Sequence, residues 1–181
     1  MTQKQVKYEI LLSLLAEESH GRRIAKKIGS SLLKTQSSLK ELREDNIIDY
    51  KVEGKNHIYF IKKNLRSRKM ILNAENYRLL RLLDNYPYLE PVFQDMVKRC
   101  NGPILLFGSY AKGTETKNSD IDIFITEDDM KLKDEVEGLY ENIHVKAGKM
   151  NPDNPLMKEI MKNHVIIKGG ERFYEGARFF D

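Results

Sequence analysis

The feature that most constrains the fold is the stretch Ser-Asp-Ile-Asp-Ile-Phe-Ile at 119–125. A β-strand sends successive side chains to opposite faces. Asp120 and Asp122 therefore share one face, and Ile121, Ile123 and Ile125 take the other, toward a core. Such a strand needs sheet partners and a covering layer to be stable. The surrounding sequence supplies both. PILLFGS at 103–109 reads as a buried strand ending in a Gly-Ser turn, and NIHVKA at 142–147 and HVIIKGG at 164–170 read as further strands. EDDMKLKDEVEGLY at 127–140 and NPLMKEIMKN at 154–163 read as helices.

The first half has a different period. Val6, Ile10, Leu11, Leu14 and Leu15 form one helical face. Ile24, Ala25 and Ile28 mark a short second helix ended by Gly29. Ser31 is the expected N-cap of a third, which carries Leu32, Leu39 and Leu42 inward. IIDYKVEGKNHIYFIKK at 47–63 then reads as two strands around the turn Glu53-Gly54-Lys55-Asn56. Two amphipathic helices follow over 66–100. Met70, Ala74, Tyr77 and Leu80 mark one; Leu89, Val92, Phe93, Met96 and Cys100 mark the other. Tyr86-Pro87 separates them, because the residue before a proline disfavours helix. The expected fold class is α+β in three parts, with boundaries at 1–64, 65–100 and 101–181.

Charge divides along the same line. Residues 1–100 hold 20 Lys and Arg against 12 Asp and Glu, whereas residues 101–181 hold 11 against 15. A basic front suits phosphate partners and an acidic back suits metal ions. The apolar fraction of 40% and charged fraction of 32% fit a globular protein. No apolar run approaches the ~20 residues of a membrane-spanning helix, and MTQKQVKYEI lacks the apolar core of a signal peptide. A single cysteine, Cys100, leaves no internal disulfide. These features place the expected protein in the cytoplasm, away from membranes.

The segment LLFGSYAKGTETKNSDIDIFI concentrates the chemistry. Two carboxylates side by side repel unless a cation lies between them. Hard oxygen ligands of this kind suit Mg²⁺ or Mn²⁺, which keep waters and bind substrate phosphates as well. Gly108 lets the backbone approach a ligand, and the Ser109 hydroxyl with nearby N–H groups can cradle a triphosphate. Gly113 is expected to relieve crowding at the end of a short helix beginning there. Lys112, Lys117 and Ser119 lie within reach in sequence. The joint spacing G-S-x-A-x-G, five residues, then S-D-x-D is far more restrictive than either half alone.

These residues resemble the signature of the DNA polymerase β-type nucleotidyltransferases, most closely the minimal nucleotidyltransferases, over about residues 87–175. The resemblance implies that Gly108 and Ser109 hold the nucleoside triphosphate (ATP the first choice); Lys117 and Ser119 are expected to join them there. It implies that Asp120 and Asp122 are catalytic and bind Mg²⁺ or Mn²⁺, and that a nucleoside monophosphate moves to a hydroxyl with release of pyrophosphate. Family acceptors include nucleic acid ends, aminoglycosides and partner proteins. The family's third carboxylate lies on the following strand. NIHVKAG carries none there, so Glu141, His144 or nothing takes its place, while Asp153 is expected to open the next helix.

Residues 4–63 resemble a winged helix-turn-helix. The resemblance implies double-stranded DNA as a partner, read by Lys34, Thr35, Gln36 and Ser38 of the third helix and by Lys55 at the wing tip, with Asn56 and His57 beside it. Arg22, Arg23, Lys26 and Lys27 would meet phosphates. The same fold also serves dimerisation, so a homodimer is the other expectation. Two functions follow: a metal-dependent nucleotidyltransferase with a DNA-binding module, or a DNA-binding regulator whose transferase domain has become a nucleotide sensor.

Overall fold

In the computed structural model, which describes residues 1–126, 130–139 and 141–180, contacts gather into two units. The first is residues 1–77 with residue 180; the second is residues 78–179.

The first unit opens with α1 (Val6–Ala16), β1 (Ser19–His20), α2 (Gly21–Lys27) and α3 (Leu32–Glu44). β2 (Ile48–Glu53) and β3 (Asn56–Ile61) then form a hairpin, and the three strands make an antiparallel sheet ordered β1-β3-β2. Gly54 adopts φ +61° in the tight turn, a conformation that suits glycine. Ser31 caps α3 as its sequence suggests, its hydroxyl accepting the Lys34 N–H at 3.3 Å. Ile10, Leu11, Ile24, Leu39, Leu42 and Ile48 pack together as the core.

One expectation for α3 needs correction. Its inward stripe is Thr35, Ser38, Leu39 and Leu42, whereas Leu32 is 37% exposed. Thr35 can be buried because its hydroxyl donates to the Ser31 carbonyl at 2.9 Å. Strand β1 was also unforeseen; two residues, pairing Ser19 with Tyr59 and His20 with Ile58, are too short to show a period.

α4 (Leu65–Asn85) crosses the boundary between the units. Ile71, Ala74 and Tyr77 are buried. The Tyr77 hydroxyl donates to Glu9 at 2.8 Å and accepts the Gln5 N–H at 3.2 Å, holding the start of α1. Further along the helix Leu82 joins the core of the second unit. Leu80, expected inward, is exposed. Segment 65–100 is thus shared between the units.

The second unit continues with α5 (Leu89–Arg99), β4 (Ile104–Phe107), α6 (Gly108–Lys112), β5 (Ile121–Ile125) and α7 (Met130–Leu139). It ends with β6 (Ile143–Ala147), α8 (Pro155–Lys162), β7 (Val165–Lys168) and α9 (Gly170–Gly176). The helix expected over 127–140 is α7; residues 127–129 and 140 lie outside the described residues. The sheet order is β6-β5-β4-β7, with β5 and β6 parallel and the other pairs antiparallel. α7 provides the crossover that a parallel pair requires. Ile121, Ile123 and Ile125 enter the core with Phe93 and Met96 of α5, as the alternation predicts. Among the described residues no helix is long and apolar enough to cross a membrane.

α9 was not anticipated. It buries Phe173 and Tyr174, and the Phe173 ring meets the buried His164 ring at 4.7 Å. Phe173→Ala should therefore cost about 3–5 kcal/mol, measurable as a lowered urea midpoint for unfolding.

Candidate functional site

Sheet register assembles the site. Phe107, the last residue of β4, pairs with Asp122, and Asp122 pairs on its other side with His144. The end of β4 and the starts of β5 and β6 therefore lie side by side. Gly108 follows Phe107 with φ +71°. A β-carbon there would lie 2.0 Å from Asp122 Oδ2 and 2.9 Å from its Cγ. Only glycine satisfies both the left-handed backbone and this clearance. The Gly-Ser turn and the Asp-x-Asp strand are thus physically coupled.

Ser109 occupies the first turn of α6, with its side chain partly exposed. The helix ends where Gly113 takes φ +66°, and the Gly113 and Thr114 N–H groups return to Tyr110 O (3.3 Å) and Ser109 O (3.0 Å). A β-carbon at Gly113 would meet nothing within 4 Å, so its role is the left-handed cap rather than relief of crowding. In the next loop Ser119 Oγ accepts the Thr116 N–H at 2.8 Å, and the Ser119 N–H donates to Thr116 O at 3.0 Å. This closed turn delivers Asp120 to the residue just before β5. The strand begins at Ile121, two residues later than the pattern suggests.

Burial pushes the Asp122 carboxyl above the usual carboxylate range; His144 and Lys146 pull it down, while Asp120 and Glu159 push it further up. His144 Nδ1 stands 3.8 Å from Asp120 Oδ2. Glu159 of α8 also pairs with Lys112 of α6 at 2.8 Å. Among the described residues no three His, Cys, Asp or Glu side chains are grouped to hold a metal unaided. The donor set nevertheless fits Mg²⁺, which binds through one or two carboxylates and takes its remaining ligands from water and substrate phosphates. A half-buried carboxylate whose charge is disfavoured by burial and by a second carboxylate is one that a cation would relieve.

Residues 88–169 match the family model of the nucleotidyltransferase domain. No curated protein and no solved structure gives a match to the chain. The matched stretch runs from Tyr88, before α5, to Gly169, after β7, and so contains the whole four-stranded sheet.

The remaining candidates in the second unit separate into two places. Lys117 and Ser119 line a cleft of about 420 Å³ together with Tyr88, Tyr110, Glu141 and Asn142. Glu141 is there, not opposite Asp122; that position belongs to His144. Asp153 precedes α8, its N–H bonded to Asn151 Oδ1 at 3.0 Å. Glu159 was missed, because nothing in the pattern of α8 connects it to a strand forty residues earlier. Tyr88 and Tyr110 were missed for the same reason.

In the first unit a groove of about 410 Å³ is lined by His20, Arg22, Gln36, Lys55, Asn56 and His57, among others. Lys34 is exposed, but Thr35 and Ser38 are buried and face the core. They are removed from the set expected to contact DNA, because a side chain satisfied inside the core cannot reach a base edge. Lys34, Gln36 and Ser37 form the exposed face instead. His57 is stacked on Tyr50 at 3.9 Å, and Arg23 pairs with Glu17 at 2.7 Å.

Two measurements check this geometry. Gly108→Ala should destabilise the protein by at least about 2 kcal/mol, from the left-handed backbone and the clash together. In an Asp122→Ala background, where Oδ2 and Cγ are removed and only the Cβ contact at 3.2 Å remains, the same change should cost less, about 1–2 kcal/mol. A urea double-mutant cycle reads the difference. Asp122 gives the second. Its carboxyl holds a proton more tightly folded than unfolded, so its contribution favours folding at low pH and is lost as pH rises through the folded pKa. Asp122→Asn should accordingly raise Tm at pH 7 by about 1–3 °C. The gain should shrink as the pH is lowered into the carboxylate range.

Proposed function

We propose that this chain is a metal-dependent nucleotidyltransferase that moves a nucleoside monophosphate from a nucleoside triphosphate to an acceptor hydroxyl. The observation that carries the reading is the clearance between Gly108 and Asp122, which joins the Gly-Ser turn to the carboxylate pair at one end of the sheet. The match of residues 88–169 to the nucleotidyltransferase domain supports the same reading. ATP is the first nucleotide to test.

Gly108 and Ser109 would receive the triphosphate, since a serine hydroxyl beside a glycine backbone offers donors at close range. Asp120 and Asp122 would hold Mg²⁺ or Mn²⁺, which supplies charge neutralisation at the phosphates and orientation of the attacking oxygen. The acceptor oxygen forms a bond to the α-phosphorus, the bond to the bridging α–β oxygen breaks, and pyrophosphate leaves. The acceptor's proton must pass to a base or to water. His144 stands opposite Asp122 where the family resemblance implies a third carboxylate, and a neutral imidazole accepts a proton. Lys112, at the end of α6, adds positive charge that Glu159 holds in place.

The first unit, three helices and a β-hairpin with a basic groove, is proposed as a winged helix that contacts double-stranded DNA through Lys34, Gln36 and Lys55. A protein acceptor and a homodimer remain within this reading.

One observation favours a second reading. His144 near Asp120 supplies positive charge, when protonated, where a metal-binding carboxylate is expected. That arrangement suits a DNA-binding regulator that senses nucleotide without turning it over.

Transfer from α-labelled ATP separates the two. Asp120→Asn and Asp122→Asn should each reduce labelling of any acceptor by at least about a hundredfold. His144→Ala should reduce it about 10²-fold where the imidazole is the base. Wild-type protein that binds ATP but labels no nucleic acid, small molecule or protein would establish the sensor. For the DNA module, Lys34→Ala or Lys55→Ala should weaken duplex binding and lower the salt slope by about one each. Titrations at several salt concentrations read it.

A further inference from the structure

The cleft of about 420 Å³ beside the carboxylate pair has a composition that the transfer chemistry does not use. Leu89, Ile121 and Ile143 are among its lining residues; all three are buried, the last two paired across β5 and β6. One wall is aromatic. Tyr88 and Tyr110 touch through their hydroxyls at 3.0 Å, and Tyr86 packs edge-on to both, at 6.2 and 5.3 Å. The Tyr86 hydroxyl donates to Glu115, which anchors the cluster to the loop before Asp120. Tyr88 nevertheless leaves 56% of its surface exposed. A large ring held by its neighbours and still open to solvent is a face awaiting a partner.

The polar lining discriminates among ligands. Lys117 and Glu141 oppose each other in charge, and Ser119 and Asn142 can both donate and accept. A cleft for a phosphate or a carboxylate would have an excess of positive charge. Two tyrosine rings beside mixed donors and acceptors suit a neutral heteroaromatic ring with polar edges. The volume falls within the usual range for such ligands. Position adds a further argument. Ser119 lines the cleft and directly precedes Asp120, so a ring seated there lies around the end of β5 from the carboxylate pair.

We infer that this cleft binds a nucleobase, stacked against Tyr88 and Tyr110 and read along its edge by Ser119, Glu141 and Asn142. Both tyrosine hydroxyls are engaged with each other, and burial pushes the Tyr88 hydroxyl up to about 12. The base belongs either to the incoming nucleotide or to a nucleic acid acceptor. Only that attribution rests on the transferase reading.

The chain has no tryptophan, so Tyr88→Trp introduces a single emitter into the wall of the cleft. Adenosine, which has no phosphate, is the probe. It should quench that emission, and equilibrium dialysis should find that Tyr88→Ala weakens adenosine binding at least about tenfold while Tyr88→Phe retains it. Unchanged melting of the Tyr88 variants separates this from loss of fold. An Mg²⁺ complex of a non-hydrolysable ATP analogue then identifies the source. Displacement of adenosine means the nucleotide's own base occupies the cleft; simultaneous binding assigns it to the acceptor. Asp122→Asn should leave adenosine binding intact, so a failed transfer reaction does not count against the cleft. Absence of quenching, or equal adenosine affinity in Tyr88→Ala and wild type, overturns the inference.

Discussion

Everything at the candidate site depends on the space between Gly108 and Asp122. The antiparallel register that pairs Phe107 with Asp122 brings the chain leaving β4 directly over the carboxylate. A side chain of any size at residue 108 would occupy the position of Asp122 Oδ2. The left-handed turn at Gly108 then starts α6 at once, and the left-handed cap at Gly113 ends it after five residues. So short a helix leaves the loop from Thr114 to Asp120 just long enough to return to the head of β5, closed by the Thr116–Ser119 turn. Two glycines and one serine thus set where the carboxylates stand.

Such a placement carries a stability cost. Asp122 loses hydration on one side and faces Asp120 and Glu159, and the partial compensation from His144 and Lys146 does not restore an ordinary carboxyl. A strand optimised only for folding would put a neutral residue at 122. Retaining an ionisable group where burial opposes its charge is the behaviour of functional sites, where the ligand supplies the missing compensation. The Lys112–Glu159 pair has a different logic. It lies on the surface, where an ion pair contributes little to stability, so its effect is to restrain Lys112.

How much of this was legible beforehand depends on the range of the interaction. The strands of the second unit, the Ser31 cap, the hairpin around Gly54 and the shared face of Asp120 and Asp122 all follow from local period or local hydrogen bonding. The errors come from tertiary context. Leu32 and Leu80 lie on helical stripes that look continuous, yet the first sits in the opening turn of α3 and the second on a helix that changes cores. Thr35 and Ser38 look like a polar outer face, yet a helix-internal hydrogen bond lets Thr35 enter the core and leaves the charged groups outside. β1 and α9 are too short or too weakly patterned to declare themselves. In the candidate site, the Gly-Ser and Asp-x-Asp residues were readable from spacing. Glu159, Tyr88 and Tyr110 were not, because only the fold brings them to that end of the sheet.

The identity of residue 144 gives the arrangement its remaining tension. In a parallel pair, the residue opposite Asp122 projects from the same face of the sheet, so His144 shares that face with the carboxylate. A third acid would add negative charge to a carboxylate already lifted by burial and would need the cation for the sheet end to be comfortable. An imidazole has no such need: it stands 3.8 Å from Asp120 and pulls the Asp122 carboxyl down, offsetting part of what burial does to it.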